Sequence, residues 1–277
     1  MSQNKPSFVD DLESAKYYDT LPRFSKNVYD FLEEKLDITN KIIADVGCGT
    51  GRIAIDLLER NNKVYAIDPD SNMRTICNEK CNKFNDNFIL IDGTESKMNI
   101  DDNLVDFILV SQSFHRFNPQ LFKNECKRVL KKDGKVLIVW YRLDWNNKIY
   151  SKMLSNIKEF FKLYKTRYGS LDEMKGALLE EKENIECAIE FFNNNYEILE
   201  LESISKLDMN EFINLGLSME IFPIAHSFTT VTKIINSNEF DKEKYLSNLE
   251  KIFNEEAKNN KIELPFRVQI ICNKEEL

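Results

Sequence analysis

Three glycines in five residues, Gly47, Gly49 and Gly51, fall between an apolar run (Ile42-Ile43-Ala44) and a helical pattern that begins at Arg52. A strand-to-helix turn with this many positions lacking a Cβ is where an open α/β sheet lets a ligand approach the backbone. The spacing narrows the ligand. A dinucleotide fingerprint needs G-x-G-x-x-G. Here the segment reads Asp45-Val46-Gly47-Cys48-Gly49-Thr50-Gly51, so the third glycine comes one residue early and Arg52 follows it. A plain tight turn has no use for three glycines.

Around this loop the apolar pattern alternates between strand and helix. Residues 8–36 carry helical spacing. Strands are predicted over Lys41–Val46, Lys63–Ile67, Asn87–Ile91, Val105–Val110 and Lys135–Trp140, with helices over Arg52–Arg60, Ser71–Phe84 and Pro119–Leu130, the last stopping near Asp133-Gly134. Such alternation implies right-handed crossovers and a mostly parallel sheet covered on both faces. After Trp140 the rhythm changes. Residues 146–192 read as helices, Tyr196–Ile204 as a strand, 208–222 and 241–258 as helices, and Phe266–Cys272 as a closing strand. The two late strands are expected at the sheet edge and the intervening helices as a cap. No internal repeat or linker interrupts the chain, so 277 residues read as one domain: a helical lid over 1–40, a core over 41–145, a cap insertion over 146–195, and late strands with further cap helices over 196–277.

Composition excludes some classes of function. The net charge is −8, which lowers the odds of a nucleic-acid partner, because phosphate contacts dominate such binding. No apolar stretch approaches the roughly 18 residues of a membrane span, and the N-terminus lacks a signal-peptide layout, so the expected compartment is the cytoplasm. Six cysteines without C-x-x-C fit reduced structural thiols, and no metal site is expected.

Further along lie the other candidate ligand groups. Asp68 ends the second strand in Ala66-Ile67-Asp68-Pro69-Asp70, about twenty residues past the glycine loop, where a carboxylate can hold ribose hydroxyls. Asp70 or Ser71 suits the N-cap of the following helix better than Asp68 does. Met73 stands one turn into that helix, placed for an adenine face or for the core. Asp92-Gly93-Thr94-Glu95 follows the third strand, and Val105–Ser111 leads into Gln112-Ser113-Phe114-His115-Arg116-Phe117.

Taken in order, these segments resemble the class I S-adenosylmethionine (SAM)-dependent methyltransferases that modify small molecules, of the methyltransferase type 11 kind. Relatives carry a strand, a Gln and a His-Trp-Phe-like segment where this chain has Gln112 and His115-Arg116-Phe117, with Arg116 in place of Trp. Ala15-Lys16-Tyr17-Tyr18-Asp19 resembles the leading helix that folds over the cofactor, although the usual Tyr-Arg-Pro continuation is Thr20-Leu21-Pro22-Arg23 here. The resemblance is specific over residues 15–140 and looser beyond. It implies a Rossmann-like, seven-stranded, mostly parallel sheet with an antiparallel last strand, helices on both faces and a helical cap. It implies SAM as cofactor, held by Asp45 at the methionyl ammonium, by Gly47, Cys48, Gly49 and Gly51, by Asp68 and Pro69 at the ribose, and by Met73, Gly93, Thr94, Glu95 and Ser111.

The expected chemistry is in-line methyl transfer to an O, N or S atom of a small-molecule acceptor, by a monomer or homodimer. His115 and Tyr18 are the candidate catalytic residues; a wall role for His115 is equally open. Tyr17, Tyr141 and Arg142 are candidate pocket residues, and His226 falls in the cap, where packing is the better expectation. Base-amine methyltransferases carry Asn/Asp-Pro-Pro-aromatic after the fourth strand, where this chain has Ser111-Gln112-Ser113-Phe114. The alternatives are a non-catalytic SAM-binding regulatory protein and, disfavoured by the glycine spacing, a nucleotide-dependent oxidoreductase.

Overall fold

The computed structural model describes residues 9–21, 23–143, 147–160, 182–221, 236–238 and 240–277. Its elements in chain order are α1 (Leu12–Asp19), α2 (Lys26–Leu36), β1 (Ile42–Val46), α3 (Arg52–Leu58), β2 (Lys63–Asp68), α4 (Ser71–Cys81), β3 (Phe88–Asp92), β4 (Val105–Ser111), α5 (Pro119–Val129), β5 (Leu130–Leu143), α6 (Lys148–Phe160), α7 (Lys182–Phe192), β6 (Glu197–Leu207), α8 (Met209–Ile221), α9 (Lys242–Glu256) and β7 (Ile262–Cys272). Short 3-10 turns cover Asn82–Asn87 and Phe114–Arg116.

The seven strands form one sheet in the order β3-β2-β1-β4-β5-β7-β6. β1 pairs in parallel with both β2 and β4, β2 with β3, and β4 with β5, whereas β7 runs antiparallel to β5 and to β6. β7, last in the chain, is therefore the reversed strand, as the family resemblance implies. The strand order turns back between β1 and β4, which opens a crevice at their C-terminal ends.

Both faces of the central strands are covered, so these strands are predominantly apolar, with Asp45 and Asp106 the charged exceptions in β1 and β4. Ile43, Leu109, Leu137 and Val139 pack with Val28, Tyr29 and Leu32 of α2 and with Ala54 and Leu57 of α3. On the opposite face Ala44, Ile108 and Ile138 pack with Phe122 and Val129 of α5 and with Ala188, Phe191 and Phe192 of α7. Phe114, Phe122 and Phe191 meet with centroids 5.3–6.1 Å apart, a geometry worth about 0.5–1.5 kcal/mol per pair beyond the buried area. A third cluster joins Tyr150 and Met153 of α6, Phe212 and Leu215 of α8, and Tyr245, Leu249 and Phe253 of α9 to Ile262 and Leu264 of β7.

Short polar side chains start the helices. Asp70 accepts from the Asn72 and Met73 amides, the cap role expected of it, and Asn118 caps α5 in the same way ahead of Pro119. One expectation is corrected at α5. It ends at Val129 and not near Gly134, and β5 begins directly at Leu130. The pairing jumps from Val105↔Leu130 to Phe107↔Lys135, so Lys131–Gly134 bulge out of the ladder. A Cβ on Gly134 would lie 2.7 Å from Leu130 and 3.0 Å from the Lys131 carbonyl, which is why the stop signal belongs to this bulge. No helix among the described residues is long and apolar enough to cross a membrane.

Candidate functional site

The glycine loop leaves β1 at Val46 and is pinned to β2. The amides of Gly47 and Cys48 both donate to the Ile67 carbonyl, at 2.8 and 3.0 Å. The Gly49 amide donates to Asp68 Oδ2 at 2.9 Å, and the Asp70 amide to Asp68 Oδ1 at 2.9 Å. Gly47 and Gly51 both have φ +73°, a left-handed backbone that penalises any Cβ. Space forbids a Cβ as well. At Gly47 it would lie 2.6 Å from Ser113 Oγ, and at Gly51 2.5 Å from Cys77 Sγ. At Gly49, by contrast, the nearest atom is Tyr18 Cε1, 3.8 Å away. Two glycines thus allow close packing and the third leaves room above the loop.

Asp45 is the next-to-last residue of β1. It is 2% exposed, and its Oδ2 has no hydrogen-bond partner among the described residues. Burial, and then the neighbouring Asp68 charge, raise its carboxyl to about 7. An ionisable acceptor left buried and unpaired is costly unless a ligand supplies the donor. Asp68 is also pushed up by burial, against the pull of the two amides it accepts from. A carboxylate has about four acceptor positions, and two amides leave room for two hydroxyls. Asp45 and Asp68 therefore fit the ammonium and the ribose of SAM.

The N-terminal helix lies directly on this loop. Thr50 Oγ1 donates to Asp19 Oδ1 at 2.6 Å, and Lys80 of α4 pairs with the same carboxylate. The Arg52 guanidinium stands 5.6 Å from the Tyr18 ring centroid. Val9, Ala15, Met73 and Ile76 form a small buried cluster between α1 and α4. Met73 thus packs against α1. Pro69 is exposed beside Asp68. Gly93 packs on Ile67, Ile91 and the Lys97 carbonyl, and Thr94 forms an isolated bridge with Lys97. Glu95 Oε1 accepts the Asn118 amide at 3.0 Å, which ties this loop to the start of α5.

Ser111 ends β4 opposite Val139. Beyond it Gln112 adopts φ +57°, strained for a non-glycine residue, with its amide on the Val139 carbonyl and its Nε2 reaching the Tyr141 carbonyl at 3.4 Å. His115 is exposed, with its ring centroid 5.7 Å from that of Trp140. Tyr141 points to the other face of β5, between Phe24 and Phe266. Trp140 and Arg142 share the His115 side of the strand. His226 lies outside the described residues.

Sequence reasoning did not anticipate the thiol packing behind the loop. Cys48, Cys77 and Cys81 are all buried in one core cluster, Cys48 Sγ donates to the Gly49 carbonyl at 3.7 Å, and the neighbouring Cys77 thiol and then burial raise Cys81. Such protonated, buried thiols are packing groups. Nor did it anticipate the Arg23–Asp56–Tyr29 network, in which Arg23 and the Tyr29 hydroxyl hold opposite oxygens of Asp56 at 3.1 and 2.8 Å. The charged side chain in the Thr20–Arg23 segment thus anchors the α1–α2 connection to α3. A cleft of about 740 Å³ opens beside it, lined by Asp19, Arg23, Arg52, Lys80, Lys206 and Glu211 among others, with neither Asp45 nor Asp68 in its wall.

Comparison with known proteins agrees with this geometry. Residues 44–138 match a family model described as a methyltransferase domain. An uncharacterized methyltransferase of Mycobacterium tuberculosis is 30% identical over 128 residues, 45% of this chain and 50% of that protein. A probable S-adenosylmethionine-dependent methyltransferase of Saccharomyces cerevisiae is 23% identical over 67% of this chain and 69% of its own length. Among solved structures, a putative type II methyltransferase from Anaeromyxobacter dehalogenans shares the fold with a TM-score of 0.57, at 15% identity over 91% of this chain and 96% of that one. The chain spans about half the length of the first curated relatives it matches. The matched residues hold both the glycine loop and Asp68, and over this segment the chain is similar to SAM-dependent methyltransferases.

Proposed function

We propose that this protein transfers the methyl group of SAM to an oxygen, nitrogen or sulfur atom of a small molecule, acting in the cytoplasm as a monomer or homodimer, with residues 1–277 forming one catalytic domain. The observation that carries the reading is the unpaired Oδ2 of buried Asp45, one strand from an Asp68 that keeps free acceptor positions. SAM supplies a methyl group already activated by the sulfonium charge. What remains for the chain is to bind, orient and keep out water. Asp45 holds a cationic end, Asp68 holds vicinal hydroxyls, and Gly93 with Thr94-Glu95 borders the adenine. Tyr18 and α1 cover the loop, and His115 takes a proton from an acceptor that arrives protonated.

Two features support a small-molecule acceptor. The charge of −8 disfavours a polyanion. The segment after β4, Ser111-Gln112-Ser113-Phe114, lacks the prolines of base-amine methyltransferases.

Isothermal titration with SAM and S-adenosylhomocysteine, followed by an acceptor screen read by S-adenosylhomocysteine release, tests the proposal. Micromolar binding with turnover supports it. Binding without turnover over a broad panel favours a regulatory SAM-binding protein, and absence of binding by the folded protein removes the reading.

A further inference from the structure

We propose that Trp140 and Gln269 form a recognition pair in the acceptor subsite, which takes the amide edge of a lactam or carboxamide-bearing substrate. The inference rests on the methyltransferase reading and adds a substrate class to it.

Trp140 and Gln269 are in register across the β5–β7 pair, so their side chains share a face. Trp140 is 5% and Gln269 8% exposed. The indole Nε1–H of Trp140 and the Oε1 of Gln269 have no hydrogen-bond partner among the described residues, including each other. Buried polar groups are nearly always paired, so an unpaired donor beside an unpaired acceptor marks a place for a ligand. The amide cannot simply be turned round, because Gln269 Nε2 donates to Glu200 Oε1 at 2.6 Å, which leaves Oε1 as the free end.

The pair sits where an acceptor molecule must lie. Val139 opposes Ser111, so Trp140 is the first β5 residue beyond the end of β4. Asp45 of β1 is in register with Leu109 and, through it, with Leu137, so Trp140 stands two strands over and three residues farther along, roughly 14 Å away at the usual strand spacings. The His115 ring borders Trp140 at 5.7 Å. A carboxylate would set its lone pairs against Gln269 Oε1, and a pure donor would face the indole N–H. An amide edge, with a carbonyl beside an N–H, satisfies both.

The test uses full-length protein with 15N-labelled tryptophan, saturated with S-adenosylhomocysteine. The chain has two tryptophans, so Trp145→Phe assigns the Trp140 indole signal. 2-Piperidone and benzamide should shift that signal downfield and saturably on the order of millimolar concentration, while benzoate leaves it in place. Gln269→Leu should weaken the amide response at least about fivefold. Should that variant fail to fold, Trp140→Phe titrated calorimetrically with the same amides should show the same loss. The proposal is overturned if the amides do not move the signal, if benzoate moves it equally, or if both variants bind the amides as the parent does. S-adenosylhomocysteine binding, measured on the same samples, separates failure of this subsite from failure of the methyltransferase reading.

Discussion

The Thr50 hydroxyl donates to the Asp19 carboxylate at 2.6 Å, so the middle of the glycine loop is tied to the last residue of α1. Lys80 holds the same oxygen from α4, which makes Asp19 the meeting point of the lid, the loop and the helix behind it. Asp45 and Asp68 are both buried, and in the proposed function α1 is the lid that lifts for SAM to enter or leave. Asp19→Ala removes a charge-assisted bond worth about 1.5 kcal/mol. The expected result is roughly tenfold faster release of S-adenosylhomocysteine, measured by stopped-flow displacement, with faster proteolysis within α1.

The Asp45 carboxyl gives a pH dependence with a definite sign. Its value in the fold, about 7, lies above the ordinary 3.8. The folded state therefore keeps a proton that the unfolded chain releases between those values. This group opposes folding increasingly as pH rises through that window, and the cost is complete above about 7. Asp45→Asn should raise the melting temperature of the ligand-free protein at pH 8 and leave it nearly unchanged at pH 4. Binding of an ammonium needs the ionised form, so SAM affinity should fall as pH drops below about 7, and the Asn variant should bind weakly at every pH. Calorimetry in buffers of different ionisation enthalpy reads the linked proton directly.

The glycines differ in what they tolerate. Gly51→Ala combines left-handed strain with a Cβ 2.5 Å from Cys77 Sγ and should cost about 2–3 kcal/mol of stability. Cys77→Ala removes the obstructing sulfur, so the double variant should be more stable than the sum of the two single losses, leaving mainly the backbone strain. Gly49→Ala meets nothing closer than 3.8 Å and should fold with a smaller loss. Gly49→Arg should abolish SAM binding in a folded protein. Thermal denaturation of the five proteins and a double-mutant cycle check this.

Much of this was legible in the chain because local signals and ligand needs coincide. Asp45, the three glycines and Asp68 follow one another at strand ends, so strand alternation alone places them together. Asp70 announces its cap through helix chemistry. The extension of β5 back to Leu130 was not legible, because Asp133-Gly134 reads as a helix stop until its bulge is paired against β4. Cys77 under Gly51 depends on how α4 rotates against the loop, and Asp19 with Thr50 on where α1 docks, neither of which has a sequence period. Trp140 and Gln269 are 129 residues apart in the chain and meet only through the β5–β7 register. The proposed acceptor subsite rests on such a distant pairing, which is why the cofactor could be read from the sequence and the acceptor could not.

His115 follows β4 at the edge where Trp140 emerges, and its ring packs on the indole. Two roles make different predictions. As a proton acceptor it acts through a ring nitrogen, and as a wall it acts through its ring surface. His115→Phe keeps the aromatic contact with Trp140 and removes the nitrogens. We expect this variant to lose roughly a hundredfold in kcat, the usual scale for a general base, with SAM affinity unchanged because none of the loop, Asp45 or Asp68 is touched. His115→Ala should lose as much in kcat and also raise KM for the acceptor. Full activity in His115→Phe together with a raised KM in His115→Ala would assign the residue to the pocket wall and leave the acceptor to arrive already deprotonated.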